Sequence, residues 1–305
     1  MIRVKNILVP VDFSPPSQKA VNYGVALALE FRARLILTHI VPHVTSYEHS
    51  FSAGANQIEQ RMPEDATEKM AQMVGSKYQT SVNLKRILKT GDIREELIKI
   101  VNDEEIDLVV MGTHGRGTLE HFFLGSTTEK VIRKVPAPVL TVSHLDPGKE
   151  VHLPEHIKIG RIVYATDLSI NGEVGLRYAA ELARTFQAEL TLLHVMDDLE
   201  LGVDFGEYAP DRALLRINDQ KRLHGFIEAE HATDLRPKAV TLDGTPYRVI
   251  TKYAEEHDAD LIVINLQSKG FLERAMLGAT AERVIRSATV PVLSLPISTE
   301  RSGRI

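Results

Sequence analysis

The chain has 305 residues, of which 43% are hydrophobic and 25% charged, and its formal net charge is −5 at pH 7. A length in this range suggests two domains of roughly 100–200 residues each, and the charge gives no indication of a nucleic-acid partner. The absence of cysteine excludes disulfides, thiolate nucleophiles and cysteine-ligated metal centres. No stretch approaches the ~18 apolar residues of a membrane helix, and the first residues lead into a strand pattern rather than a signal peptide. We therefore expect a cytoplasmic protein without a membrane partner.

Strands and helices alternate along the first half of the chain. Residues 6–11 form a short, nearly continuous apolar run, which is typical of a strand buried on both faces of a parallel sheet. Ser14 is predicted to cap a helix that reaches Phe31, with Pro15 and Pro16 in its first turn. The further predicted elements are strand 35–40, helix 63–78, strand 82–88, helix 91–102, strand 108–111, helix 125–134 and strand 139–142.

The second half of the chain repeats the first. Residues 2–40 align without gaps with residues 157–195 and share 12 identities in 39 positions. Residues 91–142 align with residues 244–295 and share 18 identities in 52 positions. Both counts exceed chance, so we predict two copies of one domain, at residues 1–145 and 157–297. Residues 146–156 form the predicted linker, which is polar and contains two prolines and a glycine.

The order of the elements predicts the fold class. Alternating strands and helices imply right-handed crossovers, and hence an α/β fold in which each domain is an open five-stranded parallel sheet with helices on both faces, a Rossmann-like architecture. In such sheets ligands bind outside the carboxyl ends of the strands, where the strand order reverses. We therefore expect the functional site just after Val11, Ile40 and Met111.

Glycines and hydroxyl side chains follow the strand that ends near Met111. Glycine lets the backbone turn sharply and approach a ligand closely, and the start of a helix attracts phosphate through its unpaired N–H groups. Gly112, Gly115 and Gly125 have this placement, and Ser126 and Thr127 add hydroxyl donors at the predicted helix start. A second interpretation stays open, in which the glycines are turn residues and the serine is an ordinary cap.

The complete pattern is more specific than its parts. Gly112-x2-Gly115-x9-Gly125-Ser126 after a buried strand resembles the ATP-binding signature of the universal stress protein family. The similarity extends to residues 9–14, 37–40 and 138–142, and it covers nearly the whole chain, once per half. It implies a tandem universal stress protein with domains of the adenine nucleotide alpha hydrolase type. The resemblance also implies that ATP, ADP or AMP binds, together with Mg2+ or Mn2+.

The resemblance implies a nucleotide site of ten residues and no catalytic or metal-ligating side chain. These residues are Pro10, Val11, Asp12, Ile40, Met111, Gly112, Gly115, Gly125, Ser126 and Thr127. The first three would line the adenosine pocket, and Ile40 would contact the adenine through its backbone. Met111 and the two glycines after it would line the ribose and phosphate side, and the last three residues would hold the phosphates.

The second half departs from this pattern. Its equivalents of Gly112, Gly115 and Ser126 are Asn265, Ser268 and Ala279, whereas five other equivalents fit the pattern, namely Thr166, Asp167, Val195, Gly278 and Thr280. We expect side chains at positions 265 and 268 to intrude where the backbone should meet phosphate, and Ala279 to remove a donor. An unpaired polar group costs about 1–3 kcal/mol. The sequence therefore predicts that the first domain is the main nucleotide site.

Several alternatives remain open at this point. A zinc site formed by His39, His43 and His49 is one hypothesis, although His39 recurs as His194, which favours a structural role at a strand end. The favoured function is an ATP-binding regulatory or stress-response protein. The alternatives are a slow ATPase or nucleotidyl transferase, and a structural or partner-binding tandem domain without nucleotide. No general base is evident, so we do not expect an efficient enzyme.

The resemblance also implies an assembly. Domains of this family pair through their last strands, and here the two copies would pair within one chain through residues 139–142 and 292–295. A homodimer of two tandem chains is a further hypothesis.

Overall fold

The computed structural model describes residues 3–42, 65–113, 124–143, 157–197, 212–266 and 277–296. The chain divides into two compact units, Val4–Ile157 and a second unit that consists mainly of Lys158–Ile305. We call these the first and the second domain. Each domain is described by itself.

The first domain contains five parallel strands and the helices that connect them. In chain order the elements are β1 (Asn6–Pro10), α1 (Pro15–Phe31), β2 (Arg34–Val41), α2 (65–73), α3 (Ser76–Gln79), β3 (Asn83–Thr90), α4 (Ile93–Asp103), β4 (Leu108–Gly112), α5 (Ser126–Lys134) and β5 (Val139–Val142). The strand order is β3-β2-β1-β4-β5, and all neighbours are parallel. The strand order reverses at β1, between β2 and β4.

The second domain repeats this arrangement. Its elements are β6 (Arg161–Thr166), α6 (Ile170–Phe186), β7 (Glu189–Met196), α7 (Arg212–Ala229), a 3-10 turn (Thr233–Leu235), β8 (Lys238–Asp243), α8 (Pro246–Glu256), β9 (Leu261–Asn265), α9 (Ala279–Ser287) and β10 (Val292–Leu295). Its strand order is β8-β7-β6-β9-β10, again parallel throughout. The predicted fold class is confirmed.

Local chemistry explains the start and the end of α1. The Ser14 hydroxyl oxygen accepts a hydrogen bond from the Ser17 N–H at 3.4 Å, and two prolines occupy the first turn. Proline is tolerated there because these N–H groups have no partner inside the helix. The helix ends at Arg32, whose φ of 52° lies in the left-handed region. The predicted cap is confirmed.

One predicted helix is divided in two. The sequence pattern predicts a helix over residues 63–78, but the structure has α2 over residues 65–73 and then the separate α3. Gly75 lies between them with φ −50° and ψ 140°, an extended conformation that caps α3. Glycine weakens the interior of a helix, and here the chain leaves the helix at that residue. Residues 63 and 64 lie outside the described part of the chain.

Within the described part of the chain, no helix is both long and apolar enough to cross a membrane. The core consists instead of the strands and the inner faces of the amphipathic helices, with every residue of β4 and β5 buried.

Candidate functional site

The ends of three strands come together in the first domain. β1 pairs with β2 in a register that places Pro10 opposite Thr38, and with β4 in a register that places Leu8 opposite Val109. The Val11 N–H continues the pairing by donating to the Thr38 carbonyl oxygen at 2.8 Å. Because the strands are parallel, their carboxyl ends lie at one edge of the sheet. Val11, Ile40 and Met111 are buried at this edge.

Asp12 shapes the turn between β1 and α1. Its Oδ1 accepts hydrogen bonds from the Ser14 N–H at 3.0 Å and from the Ser14 hydroxyl at 2.5 Å. Phe13, between them, has a φ of 64°, in the left-handed region. The half-buried carboxylate therefore fixes the turn at the edge of the site, and this structural role is additional to the ligand contact that the sequence predicts.

Histidines at the ends of β2 and β7 have the same partner in both domains. His39 Nδ1 lies 2.7 Å from the Val11 carbonyl oxygen, and the His39 ring lies 4.5 Å from the Phe13 ring. His194 Nδ1 lies 2.9 Å from the Thr166 carbonyl oxygen. These contacts confirm the predicted role at a strand end. The other two histidines of the zinc hypothesis, His43 and His49, lie outside the described residues, within which no cluster of three potential metal ligands is found.

Gly112 is required by packing. A Cβ atom at this position would lie 2.8 Å from Pro16 Cβ and 3.1 Å from the Pro16 carbonyl carbon and oxygen, in the first turn of α1. The Thr128 hydroxyl of α5 donates to the Gly112 carbonyl oxygen at 3.1 Å and ties α5 to the end of β4. The sequence pattern predicts a role in ligand approach for this glycine and does not include Thr128 among the site residues. The alignment of the two halves could have indicated this pair, because both members change together: Gly112 is replaced by Asn265 and Thr128 by Ala281.

The start of α5 lies next to the end of β4. Gly125 is the N-cap residue, and its N–H donates to the Thr113 carbonyl oxygen at 2.9 Å. Because glycine has no side chain, the cap residue makes no side-chain hydrogen bond to the first turn of α5. Ser126 is exposed and Thr127 is half-buried. The predicted phosphate-binding end is therefore a helix start with two hydroxyls beside the strand edge. Gly115 lies outside the described residues.

The replacement of Gly112 by Asn265 in the second domain is accommodated within the fold. Asn265 Nδ2 donates to the Tyr164 hydroxyl at 3.1 Å, and that hydroxyl donates to the Gly172 carbonyl oxygen at 2.7 Å. A Cβ at Gly175 would overlap the Tyr164 hydroxyl and lie 2.5 Å from Asn265 Oδ1. The glycines of α6 thus make room for the two polar groups. Tyr164 is fully buried, and this burial raises the pKa of its hydroxyl above the ordinary value.

The expectation for Asn265 was a side chain that intrudes toward a phosphate. The structure holds its amide against Tyr164 beneath α6, and Asn265 also belongs to the lining of the cavity of the second domain, so the expectation stays a prediction. A second replacement accompanies that of Gly112 by Asn265. Gly175 in α6 stands at the position equivalent to Ala20 in α1. Ser268, the other expected intrusion, lies outside the described residues. Of the three replacements, Ala279 is the one that removes a donor at a described helix start.

A cavity of about 400 Å³ lies at the strand edge of the second domain. It is lined by the ends of β6, β7 and β9, by the start of α9 and by α7. Thr166, Asp167, Val195, Gly278 and Thr280, the equivalents that keep the sequence pattern, all belong to its lining. The residues of the second domain that keep the sequence pattern therefore come together at one cavity.

Comparison with known proteins decides the family. The model of the universal stress protein family matches the chain twice, over residues 3–143 and 158–296. The chain belongs to the universal stress protein family. It is a tandem member, since each described domain corresponds to one match.

Three similar universal stress proteins illustrate the relationship. Universal stress protein MJ0577 of Methanocaldococcus jannaschii is 30% identical over 46% of this chain and 96% of its own length. A universal stress protein structure from Archaeoglobus fulgidus covers 97% of both chains with a TM-score of 0.67 and 21% identity, which shows a common fold. A second protein from that organism was solved in complex with dAMP; it is 24% identical over 45% of this chain and 98% of its own, with a TM-score of 0.33.

Proposed function

We propose that this universal stress protein is a regulatory, ATP-binding protein in which the first domain is the main nucleotide site. The observation that carries the proposal is the start of α5, which places two hydroxyls and a helix end without a side-chain cap next to the end of β4. Helix starts attract phosphate because their N–H groups are unpaired and the helix dipole is positive there. The edge of β1 and β2 supplies apolar surface beside it.

In this proposal different site residues contact the adenine, the ribose and the phosphates. Val11, Ile40 and Met111 are buried at the edge of the sheet, where an adenine ring would find apolar contacts. Asp12, with Pro10, lies at the rim, where its carboxylate would accept hydrogen bonds from the hydroxyl groups of a ribose. Gly125, Ser126 and Thr127 would receive the phosphates. Gly112 and Gly115 belong to the proposed ribose and phosphate side.

A divalent cation fits this proposal as a companion of the phosphates. Among the proposed site residues Asp12 is the carboxylate, and its Oδ1 accepts two hydrogen bonds from Ser14. Mg2+ usually keeps several waters and binds through one or two carboxylates plus substrate phosphates, and this sparse donor set is compatible with that habit. Mg2+ or Mn2+ would neutralise part of the phosphate charge.

Features of the second domain support the proposal that the first domain is the main nucleotide site. Ala279 stands where α5 has Ser126, and the carboxylates Asp167, Asp197 and Asp219 line its cavity. Like charges disfavour a triphosphate there. A regulatory role further requires that ATP binds two states of the protein with different affinities.

Calorimetric titration of the full chain with ATP and magnesium tests the proposal. We expect about one strong site per chain, and we expect S126A combined with T127A to lower the affinity about 10–100-fold, because phosphate oxygens lose two donors. T280A, the matched change in the second domain, should leave that site unchanged. The same samples are assayed for phosphate release, and we expect no efficient turnover.

Two results would contradict the proposal. Equal losses from the two sets of variants would remove the emphasis on the first domain. If well-folded protein gave no heat with ATP, ADP or AMP, the nucleotide function itself would be wrong, and the partner-binding alternative would stand.

A further inference from the structure

The cavity of the second domain differs chemically from a phosphate-binding site. The ionisable groups in its described lining are three aspartates, one arginine and His194, which leaves a net charge of −2 with a neutral histidine. The start of α9 contributes only about half a positive charge. A ligand that brings several more negative charges would therefore enter against a repulsive field.

The arginine of the cavity is already engaged. Arg222 Nη1 lies 3.2 Å from Asp219 Oδ1, and Arg222 Nη2 donates to the Leu168 carbonyl oxygen at 2.8 Å. Asp219 Oδ2 in turn lies 3.5 Å from His194 Nε2. The guanidinium thus holds α7 against the turn after β6, and a phosphate would have to compete with two existing partners for it.

Apolar side chains form much of the remaining wall. Leucine, valine, methionine and isoleucine residues from β7, α7, α8 and β9 line the cavity, and Thr166, Thr280 and Asn265 add polar groups among them. A volume of about 400 Å³ falls within the roughly 300–1,000 Å³ of small-molecule sites. Apolar walls suit a flat ring, and carboxylates accept hydrogen bonds from hydroxyl groups.

We propose that the second domain binds an uncharged nucleoside, a heteroaromatic ring carrying a hydroxyl-bearing sugar, and excludes nucleoside triphosphates. The cavity would use its apolar wall for the ring and its carboxylates for the sugar hydroxyls. This site is separate from the ATP site proposed for the first domain, and the L215W titration described below reports on it whether or not the first domain binds ATP.

A single tryptophan makes this cavity observable in the full chain. The sequence contains no tryptophan, so L215W places the one indole on α7 in the cavity wall. L214W is the matched control, since Leu214 is on the same helix, is 56% exposed and is absent from the described cavity lining. Each variant is titrated with adenosine and with ATP plus magnesium at low salt.

The proposal gives distinct results for the two ligands. Adenosine should change the L215W emission saturably, ATP should bind there at least tenfold more weakly, and the L214W emission should not respond to either ligand. A tighter response to ATP would overturn the proposal. A response to a quaternary amine without one to adenosine would also overturn it, because the cavity would then be a cation site.

Two further measurements are needed. The first uses the unmodified chain, because the L215W substitution could change the cavity, and the second tests whether negative charge excludes ATP. Equilibrium dialysis of labelled adenosine with the unmodified chain, in saturating ATP, should show one occupied nucleoside site, and no bound adenosine would contradict the proposal. D219N in the L215W background removes one negative charge and one partner of Arg222, so ATP affinity at this site should rise about tenfold. An unchanged ATP affinity would show that charge does not exclude the nucleotide.

Discussion

Position 112 and its equivalent, position 265, show how one substitution depends on residues distant in sequence. Gly112 faces Pro16 without space for a Cβ, whereas Asn265 is bonded to Tyr164 and faces Gly175. Gly175, which stands where the first domain has Ala20, leaves the space that the Asn265 amide and the Tyr164 hydroxyl occupy. A glycine at the end of β4 is thus required by the first turn of α1, whatever ligand binds nearby.

The substitution G112A tests this packing explanation. The added Cβ would approach backbone atoms of Pro16, which cannot rotate away, so the fold must shift at a cost of about 1–3 kcal/mol. Urea unfolding of the full chain should show a loss of stability of this size. The matched control is G225A in α7, where nothing lies within 4 Å of the new Cβ; it should stabilise the helix by about 0.5–1 kcal/mol. Equal effects of the two changes would contradict the explanation.

Ion pairs connect the end of one helix to two strands of the first domain. Glu104, which follows α4, accepts a hydrogen bond from Lys85 Nζ of β3 at 2.7 Å and one from Arg34 Nη2 of β2 at 3.1 Å. The hydrogen bond from Lys85, with the charge of Arg34, holds the pKa of Glu104 below its ordinary value. This carboxylate therefore stabilises the folded form in its charged state.

The direction of the pKa shift of Glu104 determines how its stabilisation depends on pH. A carboxyl with a lowered pKa in the fold stabilises fully above the pKa of the unfolded chain, about 4.3, and loses the contribution as pH falls through the lower folded value. We expect E104Q to reduce the free energy of unfolding by about 0.5–1 kcal/mol near neutral pH, with a smaller difference near about pH 3. Urea unfolding at both pH values measures this.

The control for that prediction is E30Q. Glu30 is exposed near the end of α1, and its substitution should change stability little at either pH. A loss in E104Q that stayed the same near pH 3 would show that the charged form of the carboxylate is not what stabilises the fold.

The last strand of each domain lies at the edge of that domain's own sheet. Within its own domain β5 pairs with β4 on one side, and β10 likewise pairs with β9. Both strands are mainly apolar, with the sequences VLTV and VLSL. An apolar sheet edge tends to find a partner strand. We propose, as the family resemblance implies, that these two strands pair with each other within one chain.

Light scattering of the full chain, with and without ATP, tests this arrangement. Pairing within the chain satisfies both edges, so we expect the mass of one chain at low concentration. A mass of two chains in both conditions would indicate pairing between chains. A mass of two chains that appears only with ATP would instead support the homodimer hypothesis and connect nucleotide binding to assembly.

Much of this molecule could be predicted from the sequence because the relevant signals are local. The buried run at residues 6–11, the Ser14 cap and the repeated pattern are properties of neighbouring residues, and they determined the strands, helices and two-domain organisation. The break at Gly75 was missed because a single glycine within an otherwise helical pattern is tolerated in many helices.

Tertiary structure decided the chemistry of the two strand edges. Thr128 meets Gly112, and Asn265 meets Tyr164 and Gly175, across distances of 16, 101 and 90 residues in sequence, which no local pattern reports. The engagement of Arg222 by Asp219 and Leu168 likewise depends on where α7 packs. The sequence alone determined the fold and the edge at which ligands are expected, because periodicity and strand order are set along the chain. The charge and the free space at each edge depend on side chains that only folding brings together.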